Sequence, residues 1–213
     1  MPQKLLSVRK VDEDDKAATN RCFLNPADFP KSSRHIQVTS DARKLLFTAE
    51  TDKVVSSGQI AFNFLQRKWG NFSINQKVPV EECPKNEKDM VIFSIGVEVD
   101  FHSKRMTTKD TFNTEEMSAE FLRKFHRQVF SVGQPLAFTF KRINLVCTVK
   151  EIQLISAECQ RSDNAGAPIP SSCGMLVANS TITFEKGPSS SIILVGKARG
   201  KIPSIINPDW NFG

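Results

Sequence analysis

The side chains of this sequence best suited to do chemistry by position are paired cations: Arg9-Lys10, Arg67-Lys68, Lys104-Arg105, Arg123-Lys124 and Lys141-Arg142. Adjacent guanidinium and ammonium groups recognise acidic surfaces, and their main effect is to speed and orient encounter. A dibasic step on its own is ordinary solvated surface and contributes little to stability. Two of the five differ in setting. Arg67-Lys68 runs directly into Trp69, and Lys104-Arg105 follows an apolar alternating run that ends at Asp100-Phe101. A short helix and a strand end are rigid places from which to present charge.

Signals for catalysis are missing. The sequence holds no G-x-x-x-x-G-K-[ST], and Gly196-Lys197-Ala198-Arg199-Gly200-Lys201 lacks the glycine spacing and the hydroxyl of a phosphate-cradling loop. Neither G-x-S-x-G, H-E-x-x-H nor G-x-G-x-x-G occurs, and His35, His102 and His126 have no Cys or acidic partner at metal-ligand spacing. Five cysteines, Cys22, Cys83, Cys147, Cys159 and Cys173, form an odd, scattered set without a C-x-x-C pair. That pattern fits neither a disulfide framework nor a zinc site and predicts reduced, structural thiols. A hydrolase using one cysteine with a histidine brought near in space is the enzymatic alternative, and sequence spacing neither supports nor tests it. The prediction is a segment with no catalytic residue, no metal and no cofactor of its own.

A chain of 213 residues with 39% hydrophobic and 24% charged residues is a globular protein of one or two compact units. The acidic cluster Asp12-Glu13-Asp14-Asp15 stands where a secretory apolar region would lie, and no apolar run reaches spanning length. A cytoplasmic protein without membrane insertion is therefore expected, and Asn71-Phe72-Ser73 and Asn179-Ser180-Thr181 are not expected to be glycosylated. The net charge of +6 suits an acidic protein partner better than dedicated DNA binding. With no tyrosine present, a tyrosine-phosphate switch is excluded within the segment.

The elements that must position the basic pairs are mostly short strands. Residues 21–25, 34–39, 44–50 and 77–82 are rich in β-branched and aromatic side chains between Asn, Pro, Ser and Gly. Residues 59–69, after the Ser56-Ser57-Gly58 turn, are predicted as a short helix. The polar stretch Cys83-Pro84-Lys85-Asn86-Glu87-Lys88 has no periodicity and marks a junction. Beyond it Val91, Phe93, Ile95, Val97 and Val99 alternate with polar or smaller residues, which predicts one long strand with a single apolar face. A helix over 114–128 is predicted from Asn113 as cap, Glu116 three residues on as in a capping box, and the stripe Met117, Phe121, Leu122, Phe125 and Val129. Strands at 135–140, 143–149, 181–184 and 191–195 complete a second β-rich unit.

Read in order, Ile60-Ala61-Phe62, Gln66-Arg67-Lys68-Trp69, Asp100-Phe101 with Lys104-Arg105, Ala119-Glu120-Phe121, Phe130-Ser131-Val132-Gly133-Gln134, Phe184-Glu185-Lys186 and Ile206-Asn207-Pro208-Asp209-Trp210-Asn211-Phe212 resemble the N-terminal domain of the N-ethylmaleimide-sensitive factor (NSF) family. The resemblance covers nearly the whole chain. It implies a β-dominated α+β architecture, a double-psi β-barrel followed by an α/β roll. The corresponding boundaries are a barrel over 1–83, a linker over 84–88, a roll over 89–200 and a hinge over 201–213 leading to an ATPase domain outside this chain.

The resemblance also implies a task. NSF-like proteins are homohexameric AAA+ ATPases whose N-terminal domains grip SNAP adaptors on SNARE complexes, recruiting them peripherally to membranes. ATP and magnesium belong to the ATPase domains. Carried over by position, Arg67, Lys68, Lys104 and Arg105 are the adaptor-binding residues, with Arg9 or Lys10 adding charge. The chain departs from the family in having Lys104-Arg105 where Lys-Lys is usual, which keeps charge but changes donor geometry. Residues 159–172 match poorly, and nothing is carried over there. Asn207, Pro208, Asp209, Trp210 and Phe212 are assigned to the hinge, with Trp210 and Phe212 expected to find their partners only in a longer protein. Two alternatives stand beside this reading: the N-domain of a related ubiquitin-handling AAA+ ATPase, and a basic β-barrel binding single-stranded nucleic acid with Trp69 as a stacking platform.

Overall fold

The computed structural model describes residues 3–29, 34–155 and 167–196. Six strands close a barrel in the order β1-β5-β2-β4-β3-β6: β1 (Lys4–Lys10), β2 (Arg21–Leu24), β3 (His35–Ser40), β4 (Arg43–Thr51), β5 (Gln59–Phe62) and β6 (Lys77–Glu82). Parallel pairs β1·β5 and β2·β4 are set among antiparallel neighbours, the plan of a double-psi barrel. Closure leaves no free edge within the barrel. Its interior is filled by Leu6, Val8, Cys22, Leu24, Ile36, Val38, Phe47, Ile60 and Phe62. Between β3 and β4, Asp41 and Ala42 take φ of 46° and 64°, the left-handed pair of a two-residue hairpin turn matched to strand twist.

The predicted helix over 59–69 is wrong in its first half. Gln59–Phe62 is strand β5, inserted between β1 and β2, because Ile60 and Phe62 complete the barrel core. The helix, α2 (Phe64–Gly70), starts where a cap becomes available. Asn63 Oδ1 accepts from the Gln66 amide at 2.8 Å, and Gln66 Oε1 accepts from the Asn63 amide at 3.0 Å. Asn63 Nδ2 also donates to the carbonyl of Ala17, at 2.9 Å, tying α2 to α1 (Asp14–Ala17). Asn63→Ala removes the cap and this tether, and is expected to cost about 1 kcal/mol or somewhat more, read as a lower urea midpoint at unchanged slope.

After a 3-10 turn (Glu87–Met90), the second unit is built on a sheet ordered β10-β11-β7-β14, with β12 pairing β11. Its strands are β7 (Ile92–Phe101), β10 (Pro135–Phe140), β11 (Ile143–Leu154), β12 (Ile169–Ser171) and β14 (Thr181–Lys186). Two small pairs, β9 (Val129–Ser131) with β13 (Cys173–Met175) and β8 (Thr111–Asn113) with β15 (Ile193–Val195), flank it. Helix α3 (Thr114–Phe125) buries Met117, Phe121 and Phe125 against the sheet, giving an α/β roll.

Three details differ from expectation. In β7 the apolar face holds from Ile95 to Phe101, but Phe93 is 45% exposed and Ile92 is buried. The pairing with β11 slips between Gln153 and Leu154, and a one-residue slip exchanges the two faces. Helix α3 stops at Phe125 rather than 128: His126 is extended and Arg127 left-handed with φ 61°, which turns the chain so that Val129 enters β9 instead of the helical stripe. Asn113 does cap α3, accepting from Glu115 and Glu116 amides at 2.8 and 3.2 Å, while the Glu116 carboxylate pairs with Lys141 at 2.6 Å.

Candidate binding surface

Buried amides join the two units. Asn20 Nδ2 donates to Gln128 Oε1 at 3.4 Å, Gln134 Nε2 donates to Asn20 Oδ1 at 3.3 Å, and Gln128 Nε2 donates to the Thr19 carbonyl at 3.0 Å. The Val129 amide donates to Thr48 Oγ1 at 2.9 Å. These buried amides and the Thr48 hydroxyl find partners across the junction, so the two units meet in a defined orientation.

His35 belongs to the same junction. Its Nδ1 lies 3.4 Å from Thr48 Oγ1, and its buried Nε2 is 3.5 Å from Glu87 Oε1 without a hydrogen bond of normal geometry. Glu87 in turn binds Arg127 Nη2 at 2.6 Å. Burial holds His35 below the ordinary histidine value of 6.5, with Glu87 opposing the shift and Arg127 and Arg34 reinforcing it. The fold thus favours neutral His35: its contribution is complete above the unfolded-state value and declines as pH falls below it. Lowering pH from about 7.5 to about 5.5 should reduce the urea midpoint, and His35→Gln should flatten that dependence.

One side of the junction opens as a groove of about 280 Å³. Asp14, Ala17, Ala18, Asn63, Phe64 and Leu65 line it from the barrel, and His102, Ala137, Phe138, Thr139, Asn144 and Leu145 from the roll, so its one formally charged lining residue is an acid. Neither basic pair singled out in the sequence lines it; each follows a lining residue in the chain, Arg67-Lys68 after Phe64 and Leu65, and Lys104-Arg105 after His102. Lys68 lies one helical turn after Phe64 on the same face of α2 and is exposed. Arg67 is half-buried, with an Nε that has no hydrogen-bond partner among the described residues. Across the groove, Ser103 to Met106 form a turn closed by the Met106 amide on the Ser103 carbonyl at 2.9 Å, with exposed Lys104 and Arg105 as its central residues. Among the described residues, Lys68, Lys104 and Arg105 make no ion pair.

Arg9 and Lys10 sit elsewhere, on the far side of α1, in a cleft of about 440 Å³. There Arg9 Nη1 donates to Asn75 Oδ1 at 2.9 Å, and with the Gln59 amide turned to present its oxygen, Arg9 donates twice more at 3.0 and 3.1 Å. Lys10 pairs with Asp12 at 2.9 Å, and Lys16 with Asp52 at 2.6 Å. The hydrogen bond between the last two raises Lys16 and holds Asp52 below the usual carboxylate range. Cations and carboxylates balance in this cleft, whereas Lys68, Lys104 and Arg105 have no carboxylate partner among the described residues.

The remaining pairs are structural. Lys141 and Arg142, with φ of 47° and 67°, form the hairpin turn between β10 and β11. Arg123 Nε donates to Glu120 at 3.0 Å, and Lys124 lies over the Phe125 ring at 5.6 Å. Trp69 packs edge-on against Phe47 at 5.5 Å, so its indole serves the barrel and is not a free stacking platform. A larger cleft of about 680 Å³ between α3 and β14 carries Glu115 and Glu185 and no cation. Phe64, 66% exposed and lining the groove, is a candidate residue the sequence reading misses. Its only sequence signal is its place directly after a capping Asn63.

The vesicle-fusing ATPase of Caenorhabditis elegans is 31% identical to this chain over 229 residues, covering 99% of the chain and 28% of that protein. The chain is a homologue of the vesicle-fusing ATPases. Vesicular-fusion protein sec18 of Schizosaccharomyces pombe is 27% identical over 99% of the chain, and SEC18 of Saccharomyces cerevisiae 26% over 97%. The chain spans about a quarter of the length of these vesicle-fusing relatives, 26–28% in each. The part matched is their N-terminal domain. A family model described as cell division protein 48 (CDC48), domain 2, matches residues 111–191, from β8 to just before β15. Residues 201–213, assigned to the hinge by resemblance to the same ATPases, lie outside the described residues, as do residues 159–166 of the divergent segment.

Proposed function

We propose that this chain is the adaptor grip of a vesicle-fusing ATPase: it binds a SNAP adaptor on a SNARE complex so that ATP hydrolysis in other domains of a homohexamer takes the complex apart. What supports the reading is a groove between barrel and roll lined by Phe64 and His102, with exposed Lys68 one turn after the first and exposed Lys104 and Arg105 just after the second, all without an internal counter-ion among the described residues. Cations left unpaired on two rigid supports match an acidic partner, and Phe64 offers an apolar contact between them. Arg67 adds charge at the base of α2, and Arg9 and Lys10 form an outlying patch already engaged with neighbours. Titrating the domain against adaptor–SNARE complex tests this. Affinity should fall steeply as salt rises past the point where screening shortens to about 8 Å, and salt-independent binding would count against the interface.

The match of residues 111–191 to CDC48 domain 2 favours one further reading, a ubiquitin-handling ATPase whose adaptor uses the same groove. Competition separates the two: adaptor–SNARE complex should not be displaced by ubiquitin-handling adaptors present in excess.

A further inference from the structure

Away from the groove, four sulfur side chains gather where the linker meets β13. Cys173 and Met175 of β13, Met90 and half-buried Cys83 share one apolar cluster with Leu46 and Val129. Cys83 Sγ lies 4.0 Å from Met90 Sδ. Lys85 meets both thiols: its ammonium donates to Cys173 Sγ at 3.1 Å, and its backbone N–H to the Cys83 sulfur, where it only partly offsets the upward push of burial on that thiol. Both cysteines are free thiols. Cys22 and Cys147 differ, being fully enclosed in the two main cores, where burial pushes each thiol up and keeps it inert.

The arrangement has the parts of a redox pair. The Lys85 ammonium, 3.1 Å from Cys173 Sγ, is placed to stabilise negative charge that develops on that sulfur as it reacts. Lys85 is exposed, so its side chain can swing aside and admit a small reagent to Cys173. Cys83 follows the end of β6, its amide bonded to the His35 carbonyl at 3.0 Å and its sulfur in the same apolar cluster as Cys173. A nearby second thiol is what converts a transient sulfenic acid into a disulfide.

We propose that Cys173 and Cys83 are a peroxide-responsive dithiol that locks the linker to the roll. The Cys173 sulfur attacks hydrogen peroxide and gives up its proton; an S–O bond forms, the O–O bond breaks, and the departing hydroxide takes that proton and leaves as water. The Cys83 sulfur then attacks the sulfenic sulfur of Cys173; the S–S bond forms, the S–O bond breaks, and a second water leaves. Two thiols and one peroxide give one disulfide and two waters. Because β13 pairs with β9, whose Val129 is bound to Thr48 of the barrel, the bond braces the junction between the two units.

Peroxide treatment of the whole chain, followed by intact mass, thiol counting and peptide mapping, tests the proposal. The expected result is loss of two titratable thiols, a mass lower by two hydrogens, a peptide linking residues 83 and 173, and a raised thermal midpoint reversed by dithiothreitol. Cys83→Ala should instead leave a dimedone-reactive sulfenic acid on Cys173, and Lys85→Met should slow oxidation by about tenfold. Cys83 and Cys173 remaining titratable after peroxide, being oxidised without a link, or linking to other cysteines would each overturn it.

Discussion

Reversing Lys104 and Arg105 together to glutamate should lower capture of the adaptor–SNARE complex by at least about tenfold, with the thermal midpoint of the domain unchanged. The size follows from the turn that carries them. Lys104 and Arg105 are the central residues of a closed turn at the end of β7, exposed and free of internal ion pairs among the described residues, so neither holds the fold together. Reversal replaces two attractive contacts with two repulsive ones, and the loss should be concentrated in the association rate at low salt. The same reversal at Arg9 and Lys10 should do less, because those cations already neutralise Asp12 and bond to Asn75. Equal losses at the two places would remove the distinction drawn between groove and outlying cleft.

The largest effect on stability is expected at Phe121. This side chain is fully buried at the centre of the roll, with ring centroids of Phe125, Phe138, Phe184 and Phe130 at 4.7, 5.4, 5.8 and 5.9 Å. Phe121→Ala leaves a cavity that four rigid rings cannot collapse into, and should cost about 3–5 kcal/mol by urea unfolding. That is a large part of the roughly 5–15 kcal/mol a folded chain has. Phe64→Ala, by contrast, removes an exposed ring and should leave stability nearly unchanged while weakening adaptor capture, which separates the two roles of aromatic residues here.

Periodicity made the local elements legible where one face meets one core. The strand at Lys77–Glu82 and the cap of α3 at Asn113 follow directly from residue pattern. It failed where a distant partner decides. Gln59–Phe62 has a composition compatible with a helix turn, and becomes a strand because β1 and β2 pair with it on both sides. Lys4–Lys10 is charged at both ends and is not among the predicted strands, yet Leu6 and Val8 are needed to fill the barrel. The two basic pairs were legible as charge, but the sequence holds no sign that α2 and the turn after β7 face one groove. That depends on Asn20, Thr48, Gln128 and Gln134, buried polar residues that look like surface in a linear reading.

Hydrogen exchange of the domain with and without adaptor–SNARE complex tests the central claim most directly. Protection is expected at α2 and at residues 102–106, on both walls of the groove, with little change along the cleft between α3 and β14. Protection confined to that acidic cleft, with the groove amides exchanging as in the free domain, would contradict it.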